Sequence, residues 1–194
     1  MRTPSIRLEE WGTAFHEAGH VVAEIAIAGS TPDAVHLKDD QDDESHAGRT
    51  IGRSFLGVRS VPMDGATPNL NADNAAYAAG QAAAYGAVLA AGRVAHDMAF
   101  DWRLDPGEFA CEVLDWDSCS YAADSDEAMI AALVKDLSPG AAEAWVQDRY
   151  GQAQRAVAHW DHVRAVAAAL VERRALDRDD IFDLIPQGVW GSSR

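Results

Sequence analysis

The sequence predicts a mainly α-helical single domain, with a small β-sheet or hairpin after the first helix. Apolar residues recur at helical spacing near both ends of the chain, around an Ala-rich central run without strand alternation. Only residues 33–60 carry short segments that read as strands. The 194 residues suit one core rather than two, and no internal repeat or linker divides 1–194.

The first helix has an N-cap and proline start at Thr3-Pro4. Trp11, Phe15, Ala18, Val22 and Ile25 form its apolar stripe, and Gly29 and Pro32 mark its end. Gly12 and Gly19 inside it each cost about 1 kcal/mol relative to Ala, which predicts a close neighbour against the backbone. Asp33-Ala-Val-His-Leu37 and Thr50-Ile-Gly-Arg-Ser-Phe-Leu-Gly-Val58 read as strands around an acidic loop tip at 38–44.

A loop over 61–74 leads to the Ala-rich helix, about 72–100, whose small side chains predict a central buried position. The stretch 101–120 lacks clear periodicity and reads as an ordered loop. A third helix follows, with Ile130, Leu133, Val134 and Leu137 on one face. Ser138-Pro139 opens a long helix with Trp145, Val146, Val157, Trp160, Val163 and Leu170 in its stripe and a possible break at Gly151. A short helix over 177–185 and a tail over 186–194 complete the reading.

Sixteen Lys+Arg against 31 Asp+Glu give a formal net charge of -15, which argues against nucleic acid and anionic membrane as partners. The start of the chain lacks the apolar run of a secretory signal. The weakly polar stretch over 75–95 is mostly Ala and Gly, interrupted by Gln81 and Arg93, so no membrane span is expected. Cys111 and Cys119 are too few for a disulfide framework; they could pair with each other, but they better suit free thiols in a reducing, cytoplasmic setting.

Chemistry concentrates in His16-Glu17-Ala-Gly-His20. Residues i and i+4 share one helix face, so both imidazoles can reach one metal ion, with one Zn2+ per chain expected. Glu17 stands beside them, placed to take a proton from a water activated by the metal and return it to a leaving amine. Zinc lowers the pKa of such a water from about 15.7 to about 7. A hydrolytic zinc site needs a third protein ligand and an open fourth position. Among the other histidines, His96 is a candidate for supporting the site or, as the alternative, for ligating the metal itself, while His159 and His162, three apart near charged residues, read as exposed-face residues.

Phe15-His-Glu-Ala-Gly-His-Val-Val-Ala23 resembles the metal-binding helix of the FtsH-type peptidases, the zinc protease domain of membrane-anchored AAA+ proteases. Ala91-Gly-Arg-Val-Ala-His-Asp-Met98 is similar to that family's Gly-Arg-Ala-Ala-Glu-Glu-Leu segment, with His96-Asp97 in place of the Glu pair. The segment from Asp124 to Val134 is similar to its Ser-Asn-Asp helix start. The segment from Ala169 to Leu184 is similar to its C-terminal helix, Leu-Asp turn and short last helix.

The resemblance implies that the Asp of the Ser-Asn-Asp segment is the third ligand, and two residues match it. Asp126 keeps the following apolar positions in phase. Asp124, with Glu127 three residues on, has the spacing of an N-cap and its partner, which favours Asp126 as ligand and leaves Asp124 as the alternative. It further implies a metallopeptidase using His16, His20, Asp126 and Glu17. With neither ATPase module nor membrane helix in the sequence, the expected substrate is a flexible or unfolded polypeptide. A separate ATPase partner or a homo-oligomer is a possible arrangement. The reading from another class is a non-catalytic module of the same fold, stapled by its metal.

Overall fold

Two helices packed antiparallel form the centre of the molecule: Leu8–Ala23 (α1) and the Ala-rich Ala72–Ala99 (α2). The structure is a computed structural model, and it describes residues 8–37, 48–51, 72–102, 104–115 and 125–186. The architecture is mainly helical, with a small antiparallel sheet after the first helix, as the sequence predicts.

The α1 stripe packs as its spacing requires: Ala18 and Val22 are fully buried, and Ile25 nearly so. Trp11 and Phe15 pack at the edge of the core, Phe15 stacking on Trp160 at 5.4 Å. The small residues of α2, including Ala87, Ala90, Ala91 and Ala95, are buried, and they let α1 approach closely. A Cβ at Gly19 would collide with the Ala91 carbonyl, and one at Gly12 would lie 3.2 Å from His96 Nε2. Each fully buried Val is worth about 1.5–3 kcal/mol relative to exposure. The packed seam therefore outweighs the helix-propensity cost of the two glycines. Past Ala23 the helix widens into a π-helical turn, Glu24–Ala28, and stops at Gly29, whose φ of 68° suits a residue without a side chain.

The strands Ala34–Leu37 (β1), Gly48–Ile51 (β2) and Ala175–Asp177 (β3) form one sheet in the order β2-β1-β3, antiparallel throughout. The second strand predicted from the sequence begins at Gly48 rather than at Thr50, and 52–58 lie outside the described residues. The third strand falls where a turn was expected, because β1 accepts Ala175–Asp177 on its other side.

The expected loop over 101–120 is corrected by a helix, Pro106–Leu114 (α3). Its start carries a full capping box: Asp105 accepts from the Gly107 and Glu108 amides, Glu108 reaches back to the Asp105 amide, and Pro106 fills the first position. Phe109, Ala110 and Val113 bury its inner face.

Next comes Asp126–Val134 (α4). Ile130 and Val134 are buried, but Leu137 lies beyond the helix end and is 43% exposed, so it is no part of that face. The expected single long helix is two, Pro139–Val157 (α5) and Trp160–Arg173 (α6). The break comes at Ala158 and His159 rather than at Gly151, which lies within α5. The last helix, Arg178–Leu184 (α7), starts from its own capping box between Asp177 and Asp180. α1 and α5 pack against α2, α6 packs on α1, and α4 sits on α2 beside α3. The expected helix start at Thr3-Pro4, the expected loops at 38–44 and 61–71, the tail from 187 onward and Cys119 lie outside the described residues. Among the described residues, no helix is long and apolar enough to cross a membrane.

Candidate metal centre

α1 brings His16 and His20 to one face, one turn apart, with their rings set edge to face at 4.7 Å. Their Nε2 atoms are 3.0 Å apart. Asp126 Oδ2 lies 3.0 Å from each of those nitrogens. Among the described residues this is the one cluster of three His, Cys, Asp or Glu side chains able to share an ion.

Local structure accounts for each orientation. His20 Nδ1–H donates to the Val88 carbonyl at 2.8 Å, because a carbonyl can only accept. That leaves Nε2 to face the cluster, the usual support for a metal-ligating histidine. Asp126 opens α4, where the N-cap Ser125 accepts from the Ala128 amide at 3.2 Å and aims the first turn at α1. The capping role expected of Asp124 therefore belongs to Ser125, and Asp124 itself lies outside the described residues. Opposite the imidazoles, Gly92 of α2 leaves the room they occupy. A Cβ there would sit 2.6 Å from His20 Nε2 and 2.7 Å from His16 Cε1.

Three electron-rich atoms thus converge at mutual distances of 3.0 Å, while Asp126 Oδ2 is buried without a well-aligned hydrogen-bond donor. Such a cluster could hold a cation at its centre, either a metal ion or a proton. The electrostatics of the three side chains point the same way. Burial works against a charge on His20, but Asp126, with smaller contributions from Glu17 and the Val88 carbonyl, raises its pKa to about 9. Burial likewise disfavours the Asp126 carboxylate, yet His20 and His16 hold its pKa well below the usual carboxylate range.

The residues fit a metal. Tetrahedral zinc with bonds of about 2.0–2.1 Å sets its ligand atoms about 3.3 Å apart, close to the spacing observed. The side chain of His16 is 31% exposed against 10% for His20, so the cluster opens to solvent on the His16 side.

Glu17 is buried, and its Oε2 accepts a 2.7 Å hydrogen bond from Thr50 Oγ1. Thr50 stands opposite Val35 in the antiparallel register, so both side chains share the sheet face that covers α1. Sequence reasoning missed Thr50 and the Val88 carbonyl, because neither belongs to a motif. Gly92 carried a signal in its place beside Arg93 in the segment already singled out.

The other candidates lie apart from the cluster. His96 contacts Asp97 through Nδ1 at 3.2 Å and packs against Phe100 and Trp102. His159 is the N-cap of α6 rather than a residue on a continuous helix face, and its ring centre is 6.4 Å from that of His162. Cys111 is an exposed free thiol. The sequence matches no family model and no curated protein.

Proposed function

We propose that the protein is a zinc-dependent peptidase that hydrolyses flexible or unfolded polypeptides. The observation that carries this reading is the convergence of His16 Nε2, His20 Nε2 and Asp126 Oδ2 within 3.0 Å of one another, on the helix that also bears Glu17. A zinc ion bound there would supply Lewis acidity, polarising a carbonyl and making water acidic enough to lose a proton near neutrality.

His16, His20 and Asp126 would hold the ion, on a cluster whose His16 side is open to solvent and substrate. Glu17 serves as the proton carrier, taking a proton from the attacking water and delivering it to the departing amine. Thr50 fixes the carboxylate from one side, leaving the other oxygen to exchange the proton. The burial of Glu17 keeps bulk water from competing for it.

The same donor set suits non-haem iron(II). Glu17 favours zinc, since a carboxylate adjacent to a ligand histidine serves hydrolysis rather than oxygen chemistry. Peptide bonds are the preferred substrate because the motif and its flanks resemble the FtsH-type peptidases. Cys111 as an exposed thiol suits a reducing, cytoplasmic setting.

The test is cleavage of an unfolded protein and of a mixed peptide pool by zinc-loaded protein and by Glu17→Gln. The variant is expected to keep its zinc and lose about 10²–10⁴-fold in rate. Zinc retention with undiminished cleavage would refute the role of Glu17. Zinc binding without cleavage by the parent protein would leave a metal-stapled module joining α1 to α4.

A further inference from the structure

We propose that Arg93 is a positioning residue of the metal centre, setting Asp126 by gripping the first turn of α4 from α2. This inference rests on the metal reading above. Arg93 Nε meets both oxygens of Asp97, at 3.0 and 2.9 Å, one turn along its own helix. Its Nη1 lies 3.2 Å from Glu112 of α3 and 4.0 Å from Glu127 of α4. One guanidinium therefore joins carboxylates on three helices.

The neighbours on either side of this grip are what make it functional. Gly92, the preceding residue, is the one that leaves room for both imidazoles. Glu127, at the far end, directly follows Asp126. Successive helical residues are about 100° apart around the axis, so pinning Glu127 toward Arg93 fixes the direction in which Asp126 leaves the helix. That direction is the one in which Oδ2 meets both histidines.

The charges explain why a cation is needed here. Asp97 is 3% exposed, and Glu112 Oε2 is buried without an aligned hydrogen bond, held by charge alone. Without Arg93, Asp97, Glu112 and Glu127 would repel one another, and α4 would swing away from α2. A planar fork can serve several carboxylates at once, whereas an ammonium acts as a point charge.

The role has a distinguishing sign. Removing a positive charge near the centre should by itself tighten binding of a metal cation. Loss of positioning should weaken it. The experiment is a competition titration of metal-free protein with zinc against a chromophoric chelator, for the parent chain, Arg93→Met and Arg93→Lys. Arg93→Met is expected to bind zinc about 10–100-fold more weakly, the range seen when supports of metal ligands are removed.

In an Asp126→Ala background the same substitution should change affinity by less than about threefold, because the group it acts through is gone. If Arg93→Met does not fold, Arg93→Lys carries the test, with zinc bound at least about fivefold more weakly in a folded protein. Unchanged or tighter binding in the folded variants, or an equal loss with and without Asp126, would overturn the inference. A parent chain that binds no zinc would overturn the metal reading itself, a result separate from a parent that binds and variants that bind equally well.

Discussion

Thr50 Oγ1 donates a 2.7 Å hydrogen bond to Glu17 Oε2, tying an edge of the sheet to the helix that carries the metal-facing histidines. The bond joins residues far apart in the sequence, and it gives β2 a direct part in the proposed chemistry. Thr50→Val keeps the shape of the side chain and removes the donor. It is expected to lower kcat on an unfolded substrate by about tenfold, in line with the ~1.4 kcal/mol that such a factor represents. Zinc content should stay at the parent level. Steady-state kinetics with metal analysis checks this, and an unchanged kcat would show that Thr50 does not orient Glu17.

Gly92 admits no side chain while the imidazoles hold their observed positions. Gly92→Ala must push α2 away from α1 or turn His16 and His20 off the centre. Overpacking of this kind costs about 1–3 kcal/mol, and zinc affinity should fall with stability. Thermal melts with and without zinc measure both. Parent-like zinc binding in Gly92→Ala would contradict the close approach described.

The metal-free protein should depend on pH in a defined direction. His20 is raised to about 9 by its surroundings, so its contribution is fully present below its unfolded value of about 6.5. That contribution is lost as pH rises toward 9. The depressed Asp126 works oppositely: its contribution is present above about pH 4 and lost in acid. Chelator-treated protein should therefore lose Tm between pH 6.5 and 9, and Asp126→Asn should flatten that decline. Zinc must displace the His20 proton, so its apparent affinity should strengthen by up to about tenfold per pH unit across the same range. A flat Tm profile in the parent chain would contradict the coupling of His20 to Asp126.

A local element away from the centre offers a contrasting case. Asp105→Ala removes the acceptor of the Gly107 and Glu108 amides at the start of α3. The expected cost is about 1 kcal/mol, or a Tm drop of about 2–4 °C at this chain length. A loss well beyond this would mean that α3 supports the core by more than its cap.

Much of this arrangement was readable from residue spacing, because helices announce themselves within a few turns. The α1 stripe, the His16–His20 pair and the close approach at Gly12 and Gly19 are all local facts of sequence. The capping box at Asp105 and Glu108 was equally local, with the same proline start as Ser138-Pro139, but the lack of a long apolar stripe in nine residues obscured it. The break between α5 and α6, at Ala158 and His159, carries no glycine or proline to signal it.

The sites that depend on long-range contact had no such signal. Thr50 is one polar residue on a short strand, and it gains meaning when β1 brings that strand over α1. The Val88 carbonyl is a backbone group of an ordinary helical valine until His20 turns toward it. Asp126 could be narrowed to one of two residues by helix phase and resemblance. Its meeting with both imidazoles required the packing of α4 on α2.

The most direct test of the central claim is the metal content per chain, by elemental analysis after purification without chelator or metal-affinity tag. The parent protein should carry about one zinc, and His16→Ala and Asp126→Ala should carry little while remaining folded. A parent chain without stoichiometric metal, even after zinc is supplied and excess removed, would contradict the metal centre and the peptidase reading built on it.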